Sequence, residues 1–247
     1  MVSSLAMPAT KARIERNLAR IRADIEAACA KVGRRAEDVA LVAVTKEADV
    51  ATVKKLLEAG LTDLGENRAQ QLTARAAEIE AYVQRRRSPL AGEVRWHMIG
   101  HLQRNKVRTA LPCVEMIHSV DSLRLAEEIS HRAEPLQRSA DILLQVNCSQ
   151  EQQKFGVAVG AAAHLAELIC TLPNLRLRGL MTMAPLVDDP EKARPAFVRL
   201  RELFEEMRHD RIGGEHFRHL SMGMSQDYAV AVEEGATLLR IGTALLR

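Results

Sequence analysis

The residue best placed to bond covalently to a carbonyl ligand is Lys46, which follows Thr45 at the end of the run Val39-Ala40-Leu41-Val42-Ala43-Val44. Six apolar residues in succession, several of them β-branched, read as a strand covered on both faces, as in a parallel sheet. A lysine closing such a strand has two readings. It marks the point where the strand meets solvent, or it is an amine held at the mouth of an apolar sheet. In the second case desolvation disfavours the ammonium form and lowers the pKa, which suits Schiff-base chemistry.

Two other segments have the form of an oxyanion cup. Leu220-Ser221-Met222-Gly223-Met224-Ser225 is a strand that ends in a turn of small residues before a helix. Backbone N–H groups and hydroxyls beside a helix N-terminus bind phosphate. Ile241-Gly242-Thr243 repeats the arrangement one strand later. One such turn reads equally as an ordinary strand–helix connection with Ser225 as an N-cap; two in adjacent loops favour a ligand.

Other chemistries fit less well. His97 and His101 straddle a strand end and Gly100 instead of sharing a helix face, which argues against zinc. His97 is expected inside the barrel top, and His118 and His219 as hydrogen-bonded strand histidines. Asp188-Asp189 before Pro190 reads as a helix start, Met222 and Met224 as packing residues, and Cys148 lacks an evident base. No metal site is expected.

The elements that carry these residues alternate along the chain. A helix is predicted over residues 10–32, with Ile14, Leu18, Ile21 and Ile25 on one stripe and Gly33 ending it. Strands are predicted at 39–46, 61–65, 94–100, 114–120, 141–147, 175–183, 217–222 and 237–242. Each is followed by a helix: 49–59, 66–87, 102–110, 121–133, 158–171, 190–208, 226–234 and a last turn at 243–246. Eight strand–helix units behind one extra N-terminal helix are the count of a (β/α)₈ TIM barrel. No GxGxxG follows the first strand, so a dinucleotide fold has no support. One domain, residues 1–247, is expected.

Bulk properties fit that reading. Apolar content is 47% and charged content 27%, enough for a core and ordinary for a soluble protein. The net charge of +3 is too small and too evenly spread to imply nucleic acid. Cys29, Cys113, Cys148 and Cys170 lie far apart, without a CxxC pair, as in a reduced cytoplasmic protein. No apolar run reaches the ~18 residues of a membrane span, and residues 1–8 lack a signal pattern. No exposed apolar stripe demands a partner, so a monomer is expected.

Closure of a barrel places strand eight beside strand one, so Arg240 and Lys46 become neighbours at one end. Two facing cations call for an anion between them. A lysine, a phosphate cup and an arginine together suggest pyridoxal 5′-phosphate (PLP), with the aldehyde on Lys46 and the phosphate in the loops.

The sequence resembles the pyridoxal phosphate homeostasis protein family over almost its whole length. The resemblance lies in Ala43-Val44-Thr45-Lys46, Gly65-Glu66-Asn67, Trp96-His97-Met98-Ile99-Gly100-His101-Leu102-Gln103-Arg104-Asn105-Lys106, Ile117-His118-Ser119-Val120-Asp121, Arg178-Gly179-Leu180-Met181-Thr182-Met183, Leu220-Ser221-Met222-Gly223-Met224-Ser225-Gln226-Asp227 and Arg240-Ile241-Gly242-Thr243-Ala244. It implies an alanine-racemase-type barrel, PLP fold type III, holding PLP on Lys46 as an internal aldimine. It implies further that Asn67 lies beside the ring, that Ser221, Gly242 and Thr243 hold the phosphate with Met222 and Gly223 in the same cup, and that Arg240 faces the pyridine nitrogen. Two departures sit at the rim: His101 where many relatives carry proline, and Phe155, within Gln152-Gln153-Lys154-Phe155-Gly156-Val157, where a small residue is common.

An arginine opposite the pyridine nitrogen cannot accept its proton, so the electron sink is weakened. Racemases of this barrel type take a second acid–base group from an added β-domain of the partner subunit, and the chain ends at Arg247 without one. The expected function is therefore that of a carrier that stores or transfers PLP to PLP-dependent apo-enzymes and so affects amino- and keto-acid balance, not that of an enzyme. The alternatives are an amino-acid racemase or other weak PLP enzyme, and a PLP-free barrel for phosphorylated sugars.

Overall fold

The computed structural model describes residues 9–149, 151, 155–185 and 187–247; residues 1–8 and the Gln152-Gln153-Lys154 part of the rim motif lie outside them. The first described element is α1 (Lys11–Lys31), whose N-cap Thr10 accepts a hydrogen bond from the Arg13 N–H. Ile14, Leu18, Ile21 and Ile25 are buried along one stripe, the periodicity expected of a helix lying on a core.

The strands are β1 (Ala40–Val44), β2 (Asp63–Glu66), β3 (Arg95–Met98), β4 (Met116–Val120), β5 (Ala140–Asn147), β6 (Val157–Ala158), β7 (Leu175–Met181), β8 (His219–Ser221) and β9 (Leu238–Ile241). All pair in parallel, in the order β4-β3-β2-β1-β9-β8-β7-β5, and β4 also pairs with β5. That last pairing closes an eight-stranded barrel. The helices outside it are α2 (Val50–Glu58), α3 (Ala69–Gln84), α4 (Arg104–Ala110), α5 (Leu123–Ala133), α6 (Val159–Cys170), α7 (Arg194–His209), α8 (Tyr228–Glu233) and α9 (Thr243–Leu246). The expected barrel with one extra N-terminal helix is the observed architecture.

Strand alternation divides the apolar residues into two sets. The large outer core lies between strands and helices, and a small separate cluster of Met116, Leu143, Met181 and Leu238 belongs to the inner set. The inner set also includes buried Val42, paired with Arg240, and a polar group: His97, His118, Ser221 and Arg240 are all buried.

Boundaries shift where side chains have other duties. Glu66, predicted to open a helix, ends β2 because its fully buried side chain pairs with Arg75; α3 starts at Ala69. β6, inside the predicted helix start at Ala158, pairs with the end of β5 at Val146↔Val157 and Asn147↔Ala158. α4 and α8 begin two residues later than predicted, and β8 ends at Ser221, which leaves longer turns at the carboxyl end of the barrel, where ligand sites of this fold lie. Gly100 fixes one such turn: a Cβ there would run into the Asn67 backbone.

Residues of α1 and the end of α9 are tied together by Asn17 Nδ2, which donates to the carbonyls of Leu245 (3.0 Å) and Arg247 (2.8 Å). Ile21→Ala removes a fully buried side chain from that helix stripe; the expected cost is about 2–5 kcal/mol, measured by urea unfolding with an unchanged denaturant slope.

Candidate functional site

Lys46 lies in the turn after β1, and α3 holds that turn. Arg75 donates to the carbonyls of Thr45 and Ala48 and to Glu66 Oε1, while Gln71 Nε2 donates to the Lys46 carbonyl at 3.3 Å. Gln71 and Arg75 are one helical turn apart and so share a face. Thr45 Oγ1 completes the clamp by donating to Glu66 Oε1 at 2.5 Å. Glu66 is fully buried and Arg75 nearly so, so the backbone around Lys46 is pinned by a desolvated ion pair. The lysine itself is exposed, which fits the first of its two readings, a strand that meets solvent there, and not an amine buried at the sheet mouth.

The second half of the site is carried by β8 and β9. The N–H of Arg240 donates to the Gly223 carbonyl at 3.0 Å, and that of Met222 to the Leu238 carbonyl at 3.2 Å. Ser225 Oγ accepts from the N–H groups of Gly242 (3.3 Å) and Ala244 (3.1 Å), so the two predicted cups are one stitched structure. Ser225 does not cap the helix that follows it, whose N-cap is Asp227; its hydroxyl lies in the cup and takes the N–H groups at the start of α9. Gly223 takes φ +90°, and a Cβ there would crowd the Ala231 methyl at 2.6 Å. At Gly242 a Cβ would meet Val44 Cβ at 3.3 Å, which draws the cup against β1. Among the described residues the Thr243 N–H has no protein partner. An oxyanion suits that donor set, and an aldehyde suits the exposed amine one strand away.

Arg240 lies inside the barrel. Nη1 donates to Ser221 Oγ at 2.7 Å and Nη2 to the Thr182 carbonyl at 2.8 Å. Burial pulls its pKa down to about 10, with Asp227 opposing the shift, and the guanidinium stays charged at neutral pH. The pairing Val42↔Arg240 places Lys46 four residues further along the chain, in the turn beyond β1. The two cations are therefore offset by the strand register, not opposed. Asn67, half-buried, follows β2 with its backbone against Gly100.

The two rim departures meet. His101 stacks on Phe155 with ring centroids 4.3 Å apart, and its Nδ1 lies 3.4 Å from Asp121 Oδ2. His97 sits deeper than the barrel top: it reaches down to Asp63 at the start of β2, at 3.0 Å. Residues missed by sequence reasoning are Arg75 and Gln71, which only tertiary packing brings under Lys46, and Asp63. Lys106 lies on α4, and Lys154 is outside the described residues. Among the described residues no three His, Cys, Asp or Glu side chains gather as a metal site requires, and no helix is long and apolar enough to cross a membrane.

Arg75→Leu leaves the Glu66 carboxylate buried without its cation, and the expected loss is about 3–5 kcal/mol, read from denaturant unfolding. A second expectation concerns pH. Burial, with Arg178 and Arg218, lowers His219 from 6.5 to about 4. Native His219 thus binds its proton later than the unfolded chain does. The stability from neutral His219 is complete above 6.5 and is lost as pH falls toward 4; His219→Gln should flatten the fall of the urea midpoint across that window.

Residues 12–246 match the family described as alanine racemase, N-terminal domain. The chain is 39% identical to the pyridoxal phosphate homeostasis protein of Pseudomonas aeruginosa strain PAO1 over 232 residues, 94% of each chain. It is 37% identical to the protein of the same name from Aquifex aeolicus strain VF5 over 228 residues, 92% of this chain and 95% of the other. Its fold resembles the structure of PipY from Synechococcus elongatus PCC7942 with PLP bound, at TM-score 0.79 and 31% identity, covering 95% of this chain and all of that one. With identity at this level over nearly the full length, a closed parallel barrel and a clamped lysine beside a stitched cup, the chain belongs to the pyridoxal phosphate homeostasis protein family, built on the alanine racemase N-terminal-domain barrel.

Proposed function

We propose that this chain binds pyridoxal 5′-phosphate covalently through Lys46 and acts as a reversible carrier of the cofactor. The observation that carries the reading is the juxtaposition across the β1–β9 pairing: a pinned turn presenting one exposed amine, beside a cup with an unpartnered N–H and a hydroxyl-lined helix start. Gly242 and Thr243 would hold the phosphate, with Ser221, Met222 and Gly223 forming the adjoining wall. Arg240 would face the ring nitrogen and Asn67 the ring. The PLP-bound state of PipY and the names of the curated relatives support this assignment.

PLP supplies an electrophilic aldehyde and an electron-withdrawing ring. The residues around it favour holding over turnover. Arg240 is cationic and donates only, so it takes no proton from the ring nitrogen. Lys46 is open to water, whereas catalytic sites gain from excluding it; an accessible amine suits uptake and release. On this reading the protein works as a monomer in the cytoplasm and supplies PLP-dependent apo-enzymes, with consequences for amino- and keto-acid balance.

Lys46→Ala should abolish the visible absorbance band of the PLP-loaded protein and its fixation by borohydride, with circular dichroism unchanged. A band that survives removes Lys46 as the linkage. α-Proton exchange of D- or L-amino acids in D₂O at metabolic rates would favour the racemase reading over the carrier.

A further inference from the structure

A continuous row of side chains crosses the barrel interior and ends on Arg240. Asp63 Oδ1 lies 3.0 Å from His97 Nε2, and His97 Nδ1 lies 3.0 Å from His118 Nε2. His118 Nδ1 lies 2.8 Å from Ser221 Oγ, which accepts from Arg240 Nη1 at 2.7 Å. The members come from β2, β3, β4, β8 and β9. Asp63 opens β2 and lines a cavity of about 340 Å³ with Arg22 and Glu26, at the barrel end opposite the cup. His97, His118, Ser221 and Arg240 are buried, so their polar atoms must satisfy one another.

The chemistry at the ends of the row limits the direction of the hydrogens. Arg95 donates to Asp63 through Nε (2.8 Å) and Nη2 (2.6 Å). Burial works against the charged Asp63 carboxyl, but the hydrogen bonds from His97 and Arg95 outweigh it and hold its pKa below the ordinary value. A carboxylate only accepts, so His97 Nε2 carries a hydrogen. Burial, helped by His97, Arg240 and His219, pushes His118 well below the usual histidine range, so His118 has one ring hydrogen. Of the two directions the distances allow, the one proposed below sets the His118 hydrogen on Nε2, donated to His97 Nδ1. His118 Nδ1 is then bare and takes the Ser221 hydroxyl hydrogen. The Ser221 lone pairs remain for Arg240. Each link then has one donor and one acceptor.

We propose that Asp63, His97 and His118 are positioning residues that turn the Ser221 hydroxyl inward, making its oxygen the acceptor that orients Arg240 at the ring end of the site. This deepens the PLP reading and rests on it. Ser221 then gives no hydrogen to a phosphate, and that grip falls to the Gly242–Thr243 side of the cup.

Long-range ¹H–¹⁵N NMR of the imidazoles in the full chain without cofactor, near neutral pH, reads the tautomers directly. The expected result is neutral His118 with its hydrogen on Nε2 and an unprotonated Nδ1; a hydrogen on Nδ1 overturns the proposal. Asp63→Asn keeps the shape but can donate as well as accept. It should shift the Arg240 guanidinium ¹⁵N signals and weaken PLP binding by about three- to tenfold; unchanged signals and affinity overturn the proposal. Failure of the wild-type chain to bind PLP would sink the function proposed above, while the His118 tautomer would still be read in the same cofactor-free sample.

Discussion

The site exists because β1 pairs with β9. That ladder, with Val42 opposite Arg240 and Ala43 opposite Ile241, brings the two ends of the chain into adjacent strands. A parallel pairing between segments so far apart in sequence costs loop entropy that local contacts cannot repay. It holds because seven other strands and the helices around them bury a continuous core. Lys46 and the Gly242 turn are neighbours only as a result of that closure.

Closure also creates an interior, and the interior is unusual in its polarity. Met116, Leu143, Met181 and Leu238 form one small apolar cluster in it, and several of the remaining positions hold histidines, a serine and an arginine. Desolvating such groups is expensive unless each donor finds an acceptor. The Asp63-to-Arg240 row meets that demand along the barrel, and Arg75 and Thr45 meet it for one oxygen of Glu66 beside the Lys46 turn. The cost of burying polar groups is thereby coupled to the geometry of the site: the same bonds that satisfy them hold Arg240 and the Lys46 backbone in place.

Exposure separates the two halves of the site by role. Lys46 is open while its backbone is clamped, so the amine is accessible without being loosely placed. Arg240 is buried, fixed by two acceptors and charged. An open nucleophile beside a fixed, donor-only cation suits reversible capture more than proton shuttling. The His101–Phe155 stack adds an aromatic wall at the rim, joining two loops that sequence reasoning had treated separately.

Much of this was legible along the chain. Apolar periodicity and turn residues mark eight strand–helix units and the extra helix, because a barrel strand buried on both faces must be apolar and a helix on it must carry a stripe. Lys46, Gly242 and Ser225 stood out because their residue types sit at strand ends. Tertiary structure alone decided the rest. It withheld burial from Lys46, kept Glu66 in a strand, joined the two cups through Ser225 and aligned Asp63, His97, His118 and Ser221. The reason is physical. Periodicity reports which face of an element is covered, but a hydrogen bond between residues 103 apart, such as His118 to Ser221, depends on register and closure that no local pattern encodes.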